Sequence, residues 1–209
     1  MSKGIIFDFD GVIAESIKLK SDAFGELYKA FGENIVRKVI EHHEANGGMP
    51  RFEKIKYYHK SFLKKNLSHK EIHQIANKFS DLVIDKIVAS AYVPGVVDYI
   101  KKSKKKYKLF ISTGTPTGEI KTILNGKKIS HYFDEVFGSP EKKKKHIEKI
   151  IYKFNIKPRD LIFYGDSNED LNAAEKTKVP FVLVKNRYNK FLSKNFDGNS
   201  INNFIELLK

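Results

Sequence analysis

Five short runs of β-branched and aromatic residues, each followed by a turn or helix signal, limit what this chain can fold into: residues 4–9, 108–113, 135–137, 161–164 and 181–184. Runs that are apolar throughout, rather than alternating, suit strands of a parallel sheet covered by helices on both faces. Amphipathic stretches of helical length lie between the later runs, at 118–125, 143–154 and 168–176. The order strand, helix, strand predicts an α/β fold with a doubly wound parallel sheet.

The first connection departs from that pattern. Roughly ninety residues or more separate the first two runs, where a parallel crossover needs only about a dozen. The gap reads as helices at 17–31, 35–45, 52–62 and 70–88, broken at Asn46-Gly-Gly-Met-Pro50 and again at 65–68. Ser68 followed by Glu71 is a capping-box signature for the last of them. The chain therefore predicts a helical insertion over 16–89 and an α/β core assembled from 1–15 and 90–209.

Composition narrows the chemistry. The 209 residues include no cysteine, which excludes disulfides, zinc–thiolate sites, iron–sulfur ligation and cysteine nucleophiles together. A net charge of +14 is the footprint of nucleic-acid binding. Yet Arg37, Arg51, Arg159 and Arg187 are the only arginines among 39 cations, and arginine is the usual residue for bidentate phosphate and base recognition. A lysine-biased surface is the expectation, with nucleic-acid binding as a remote alternative. No run approaches the roughly 20 apolar residues of a membrane span, so no membrane partner is expected. The N-terminus enters Lys3-Gly-Ile-Ile-Phe-Asp8 without the apolar stretch of a secretory signal, and a cytoplasmic location is the expectation.

In parallel α/β sheets ligands sit outside the carboxyl ends of the strands, so the residues ending strands matter most. The first run ends in Asp8-Phe9-Asp10-Gly11-Val12, the second in Ser112-Thr113-Gly114-Thr115, and the fourth leads into Gly165-Asp166-Ser167-Asn168-Glu169-Asp170. Asp8, Asp10 and Asp166 on one rim would repel one another unless a cation neutralised them, and such oxygen ligands suit magnesium. One carboxylate beside a metal can serve as a nucleophile and a second can handle protons. Each residue alone has a plainer reading: Asp166 or Asp170 as helix cap, Asp10 with Gly11 as a turn.

Together these segments resemble the haloacid dehalogenase superfamily, in its phosphatase and phosphomutase branch, whose core is Rossmann-like. The resemblance implies that Asp8 attacks phosphorus to form an aspartyl phosphate. It implies that Asp10 protonates the leaving oxygen, later activates water, and lends its backbone carbonyl to magnesium. Thr113 resembles the strand-terminal serine or threonine that holds the phosphoryl group; Gly114 stands where many members carry asparagine. Ser112, one step earlier on a strand, faces the other way. Gly138-Ser139-Pro140 looks like the lead-in to the family's lysine, which selects Lys143 from the run 142–145. The match to GDSxxD makes Asp166 a magnesium ligand and makes Asp170 a support acting through the metal's waters or through Lys143.

A helical insertion after the first motif resembles the family's mobile cap, which closes over small substrates and excludes water. Its substrate loop would be residues 46–54, with Arg51 and Lys54 as candidates to hold a second anionic group. The expected partner is a small phosphorylated metabolite, hydrolysed with magnesium as cofactor. A sugar phosphomutase of the β-phosphoglucomutase type is the alternative, since Arg51 resembles a phosphate-holding residue there. A phospho-accepting signalling domain also uses strand-end aspartates but needs no insertion of this size. His42 and His43 diverge by about 100° on a helix and do not make a chelating pair.

Overall fold

β1 (Gly4–Phe7) is buried along its whole length because a strand flanks it on each side. It pairs in parallel with β2 (Lys108–Pro116), from Gly4↔Lys108 to Phe7↔Ile111, and with β4 (Leu161–Gly165), from Gly4↔Leu161 to Phe7↔Tyr164. β3 (Glu135–Ser139) lies outside β2, β5 (Phe181–Val184) outside β4, and a short β6 (Ser200–Ile201) beyond β5. The order is β3-β2-β1-β4-β5-β6, parallel at every pairing. This computed structural model describes residues 3–208. The sheet is the doubly wound α/β arrangement expected from the sequence, and the direction of strand order changes at β1.

Alternate residues of the central strands feed two apolar layers, as a period of two requires. Ile6, Phe110, Leu161 and Phe163 face α7 (Lys143–Phe154) and α8 (Asn168–Thr177), packing on Ile147, Ile150, Ala173 and Ala174. Ile5, Phe7, Leu109 and Ile111 face the other layer, with Val96 and Ile100 of α5 (Val96–Lys104) and Ile120 and Ile123 of α6 (Thr117–Gly126). This second layer continues without a break into the helices that follow β1: α1 (Ile17–Tyr28), α2 (Glu33–Ala45), α3 (Arg51–Ser61) and α4 (His69–Ala89). Phe24, Val39, Ile55, Tyr58, Phe79 and Val83 form their shared interior.

The inserted helices form where apolar periodicity and capping placed them. Ser68 and Glu71 make the full capping box at the start of α4, with Ser68 N donating to Glu71 Oε2 at 2.7 Å and Glu71 N donating to Ser68 Oγ at 3.3 Å. Tyr58 is a core residue, whereas Tyr57 lies at the surface, its ring stacked on His42 at 4.3 Å. Two short elements carry no periodic signal and were not expected, β6 and α9 (Lys190–Asn195). β2 runs past its expected end at Thr113 because its register with β3 shifts between Ser112 and Pro116, resuming at Pro116↔Ser139. Among the described residues no helix is long and apolar enough to cross a membrane.

Ser112 faces α7, where its hydroxyl and His146 Nδ1 share a hydrogen bond of 3.0 Å. Burial, then the nearby Lys143 charge, pushes His146 down to about 4. The unfolded chain binds this proton at its ordinary value of 6.5, so the folded state is favoured above that pH and loses the advantage as pH falls towards 4. At most about 3 kcal/mol is at stake. His146→Asn is expected to remove this contribution, so that in thermal melts from pH 7 to 4 the wild type loses melting temperature relative to the variant as pH falls, and a constant difference between the two would contradict it.

Candidate active site

The carboxyl ends of β1, β2 and β4 meet where the strand order changes direction, the usual position for a ligand in an open α/β sheet. Asp8 follows β1 directly. Its N–H donates to the Tyr164 carbonyl at 2.9 Å, prolonging the ladder, and its Oδ1 accepts from Phe9 N–H at 2.7 Å. Oδ2 is then turned towards Lys143 Nζ, 2.9 Å away. The chain leaves β1 through Gly11 at φ +76°, where a Cβ would stand 2.3 Å from Asp166 Oδ2. Only a residue without a side chain lets this loop approach Asp166 so closely.

The loop after β4 is fixed by the start of α8. Ser167 Oγ accepts from Asp170 N–H at 3.4 Å, and Asp170 Oδ2 accepts from Ser167 N–H at 3.1 Å, a capping box in which Asp170 is wholly buried. Asp170 thus does cap its helix, and its second oxygen also accepts from Lys143 Nζ at 2.5 Å. Asp166 Oδ2 accepts from Asn186 Nδ2 at 2.7 Å, and Asn189 Nδ2 donates to the Asp166 carbonyl at 2.9 Å. Lys143, on the first turn of α7, sits between Asp8 and Asp170 and is buried, whereas Lys144 and Lys145 reach outward to Glu148. A cation is a poor match for a helix start, and the two carboxylates compensate it.

One ammonium does not balance three carboxylates. Asp8, Asp166 and Asp170 each bring an oxygen within 4.8 Å of the others. Burial raises Asp8 to about 7 even though Lys143 opposes it. Burial, then the charges of Asp8 and Asp170, pushes Asp166 well above the carboxylate range. Lys143 is held above its ordinary value by Asp170 and Asp8, although burial works against it. An all-oxygen cluster short of positive charge fits a hard divalent cation such as magnesium. Asp170 has both oxygens engaged by Lys143 and Ser167, and Asp8 both of its own by Phe9 N–H and Lys143, so the three carboxylates together are the side chains able to hold an ion.

Asp10 points away from that cluster. Its Oδ2 accepts from Lys20 Nζ at 2.5 Å and its Oδ1 from Ser16 Oγ at 2.6 Å, while Lys20 also donates to Thr115 Oγ1 at 2.8 Å. Burial alone would raise Asp10, but the Lys20 charge and these hydrogen bonds hold it below its ordinary value. Thr113 is buried within β2, where the register with β3 shifts, and its Oγ1 accepts from Thr115 N–H at 3.2 Å, leaving the hydroxyl proton to donate elsewhere. Gly114 lies under the loop between α2 and α3, where a Cβ would stand 3.0 Å from the Gly48 carbonyl.

That loop and α3 bring Arg51 and Lys54 to the same cleft as Asp8, Asp10 and Gly114. Both cations are buried, though their surroundings differ. Arg51 makes a two-pronged ion pair with Glu119 at 2.6 and 2.8 Å. Lys54 meets His43, with Nζ 2.8 Å from Nδ1 and 3.2 Å from the carbonyl oxygen. Burial, then Lys20, depresses Lys54 well below the ordinary lysine value, and burial, then Lys54, depresses His43.

Sequence reasoning did not single out Lys20, Glu119, Asn186 or Asn189. Lys20 lies four residues after Ser16, on the face of α1 that follows the first aspartate motif, a spacing that could have pointed to it. Asn186 and Asn189 follow β5, so the strand-end rule applied to the fifth run would have reached them. Glu119 lies in α6, far from Arg51 in sequence, and no local pattern joins the two.

The family profile described as haloacid dehalogenase-like hydrolase matches residues 5–184. A phosphoglycolate phosphatase of Photorhabdus laumondii is 28% identical over 194 residues, covering 90% of this chain and 82% of that protein. A phosphorylated carbohydrates phosphatase of Thermotoga maritima is 25% identical over 191 residues, covering 85% and 82%. In structure, the β-phosphoglucomutase of Clostridium difficile superposes with a TM-score of 0.79 at 22% identity, over 99% of this chain and 93% of that one. A profile spanning the sheet from β1 to β5, over a rim where aspartates and a buried lysine converge, places this chain in the haloacid dehalogenase-like hydrolase family.

Proposed function

We propose that the protein is a magnesium-dependent phosphatase that hydrolyses a small phosphorylated metabolite through an aspartyl phosphate on Asp8. The observation that carries this reading is Lys143 Nζ, buried between Asp8 Oδ2 at 2.9 Å and Asp170 Oδ1 at 2.5 Å. A buried cation beside a buried carboxylate opposes the protonation that burial favours and meets the charge of an arriving phosphoryl group.

In this reading Asp8 attacks phosphorus as the bond to the leaving oxygen breaks, and Asp10 gives its proton to that oxygen. Asp10, ionised again, then takes a proton from water as the water oxygen bonds to phosphorus and the Asp8–phosphorus bond breaks, releasing phosphate. Lys20 favours the ionised Asp10 that the second step needs, while the negative phosphate works towards the protonated form that the first step needs. The Thr113 hydroxyl donates to a phosphoryl oxygen. Asp8, Asp166 and the Asp10 carbonyl would hold magnesium, which neutralises negative charge around the transferred group. Asp170 steadies Lys143. Residues 16–89 act as a cap over a core of 1–15 and 90–209, their loop meeting the strand end at Gly114.

The relatives' names supply the first substrates to test, phosphoglycolate and phosphorylated carbohydrates. Phosphate release is expected with magnesium, with loss in EDTA and recovery when excess magnesium is restored; turnover at full rate in EDTA would contradict the metal's role. Scoring glucose phosphates for isomerisation as well as hydrolysis separates phosphatase from mutase. A mutase would need Arg51 for a second phosphate, and here Glu119 occupies it.

A further inference from the structure

Three cations of the inserted helices reach the cleft; Lys20 is paired with Asp10, and the structure treats the other two oppositely. Arg51 sits at the start of α3, its guanidinium 4.2 Å above the Phe79 ring. Its fork is already filled by the Glu119 carboxylate from α6, which also accepts from Ser80 at 2.6 Å. A bidentate pair with both side chains 5% exposed is the arrangement that a planar guanidinium would otherwise offer to a phosphate. Lys54, one turn further along α3 and 1% exposed, has no carboxylate in an ion pair among the described residues. Its neighbours are the imidazole and carbonyl of His43, and both line the cleft with Lys20. A buried ammonium without a counter-charge is costly unless an anion joins it.

We propose that Glu119 is a specificity-determining residue: by occupying Arg51 it leaves Lys54, beside His43, as the cation that meets the far end of the substrate, so that the enzyme selects phosphomonoesters bearing a single negative charge there, such as a carboxylate, over those bearing a second phosphate. This assignment rests on the phosphatase reading of the same cleft. Burial and Lys20 work against the Lys54 charge in the free enzyme; an arriving carboxylate favours the ammonium, a point charge that one carboxylate matches. A second phosphate dianion wants the guanidinium fork, and it would have to displace Glu119 and leave that carboxylate buried without its partner. Glu119 touches no reacting atom; it acts through Arg51.

The test compares kcat/KM for three compounds of similar size: 2-phosphoglycolate, ethyl phosphate and propane-1,3-diyl bisphosphate. The wild type is expected to prefer phosphoglycolate to each of the others by roughly tenfold or more, the scale of one charge-assisted contact. Lys54→Met is expected to collapse the phosphoglycolate-to-ethyl phosphate ratio towards unity, mainly through KM. Glu119→Gln, which frees Arg51, is expected to raise the bisphosphate-to-phosphoglycolate ratio by tenfold or more. If Glu119→Gln does not fold, the wild-type order of preference still decides. Equal use of ethyl phosphate, a wild-type preference for the bisphosphate, or an unchanged ratio in folded Glu119→Gln would overturn the assignment while leaving the phosphatase reading in place. Phosphate release from none of the three would contradict the phosphatase reading itself, and the assignment with it.

Discussion

Asp8→Asn is expected to lower kcat by roughly 10⁴-fold or more on every phosphomonoester that the wild type hydrolyses, the scale seen when an enzyme loses its nucleophile. The carboxamide keeps the shape and the hydrogen bond from Phe9 N–H, so the fold is retained. What it loses is the negative oxygen that faces Lys143 at 2.9 Å. Melting temperature and substrate affinity separate this result from general damage: both should stay near the wild-type values while single-turnover phosphate release disappears. A variant within tenfold of the parent would mean that Asp8 binds rather than attacks.

Lys143→Met should give the next largest effect, acting on both rate and stability. Lys143 is the buried cation between Asp8 and Asp170, and Asp8 already stands at about 7 despite it. With the ammonium gone, buried carboxylates face one another unpaired, a change that typically costs about 3–5 kcal/mol. The transition state loses a fixed positive charge, worth roughly 10²–10³ in kcat. Activity assays and thermal melts with and without magnesium check both parts. The metal is expected to raise the melting temperature more in Lys143→Met than in the wild type, because the ion then carries more of the neutralisation. A variant as active and as stable as the parent would remove Lys143 from the account.

The parts of this site that were readable in the sequence are those whose neighbours in space are also neighbours along the chain. Asp8 and Asp10 follow a fully buried strand, and Asp166 and Asp170 bracket the junction between β4 and α8. The strand-end rule therefore brings them to one rim without any knowledge of packing. Lys143 needed the family lead-in, since four consecutive lysines look alike until α7 turns one inward and leaves the next two with Glu148. The α/β order and the succession of helices between β1 and β2 were legible from apolar periodicity. Unreadable were contacts made when one element closes on another. Arg51 meets Glu119 only because α4 packs against both α3 and α6 and brings their side chains together. The sequence marked Arg51 as a charge near the substrate, whereas its partner is set by tertiary approach. β6 is too short to show a period and exists because β5 offers it an edge.

The central claim is a covalent bond between Asp8 and phosphorus. Rapid acid quenching of the wild type during turnover with magnesium and excess substrate, followed by peptide mapping, tests it directly. The account predicts one phosphoryl group on the peptide containing Asp8, absent from Asp8→Asn and from samples quenched before substrate is added. A phosphoryl group on another residue, or steady turnover with none on Asp8 at any quench time while a known aspartyl phosphate survives the same procedure, would contradict it.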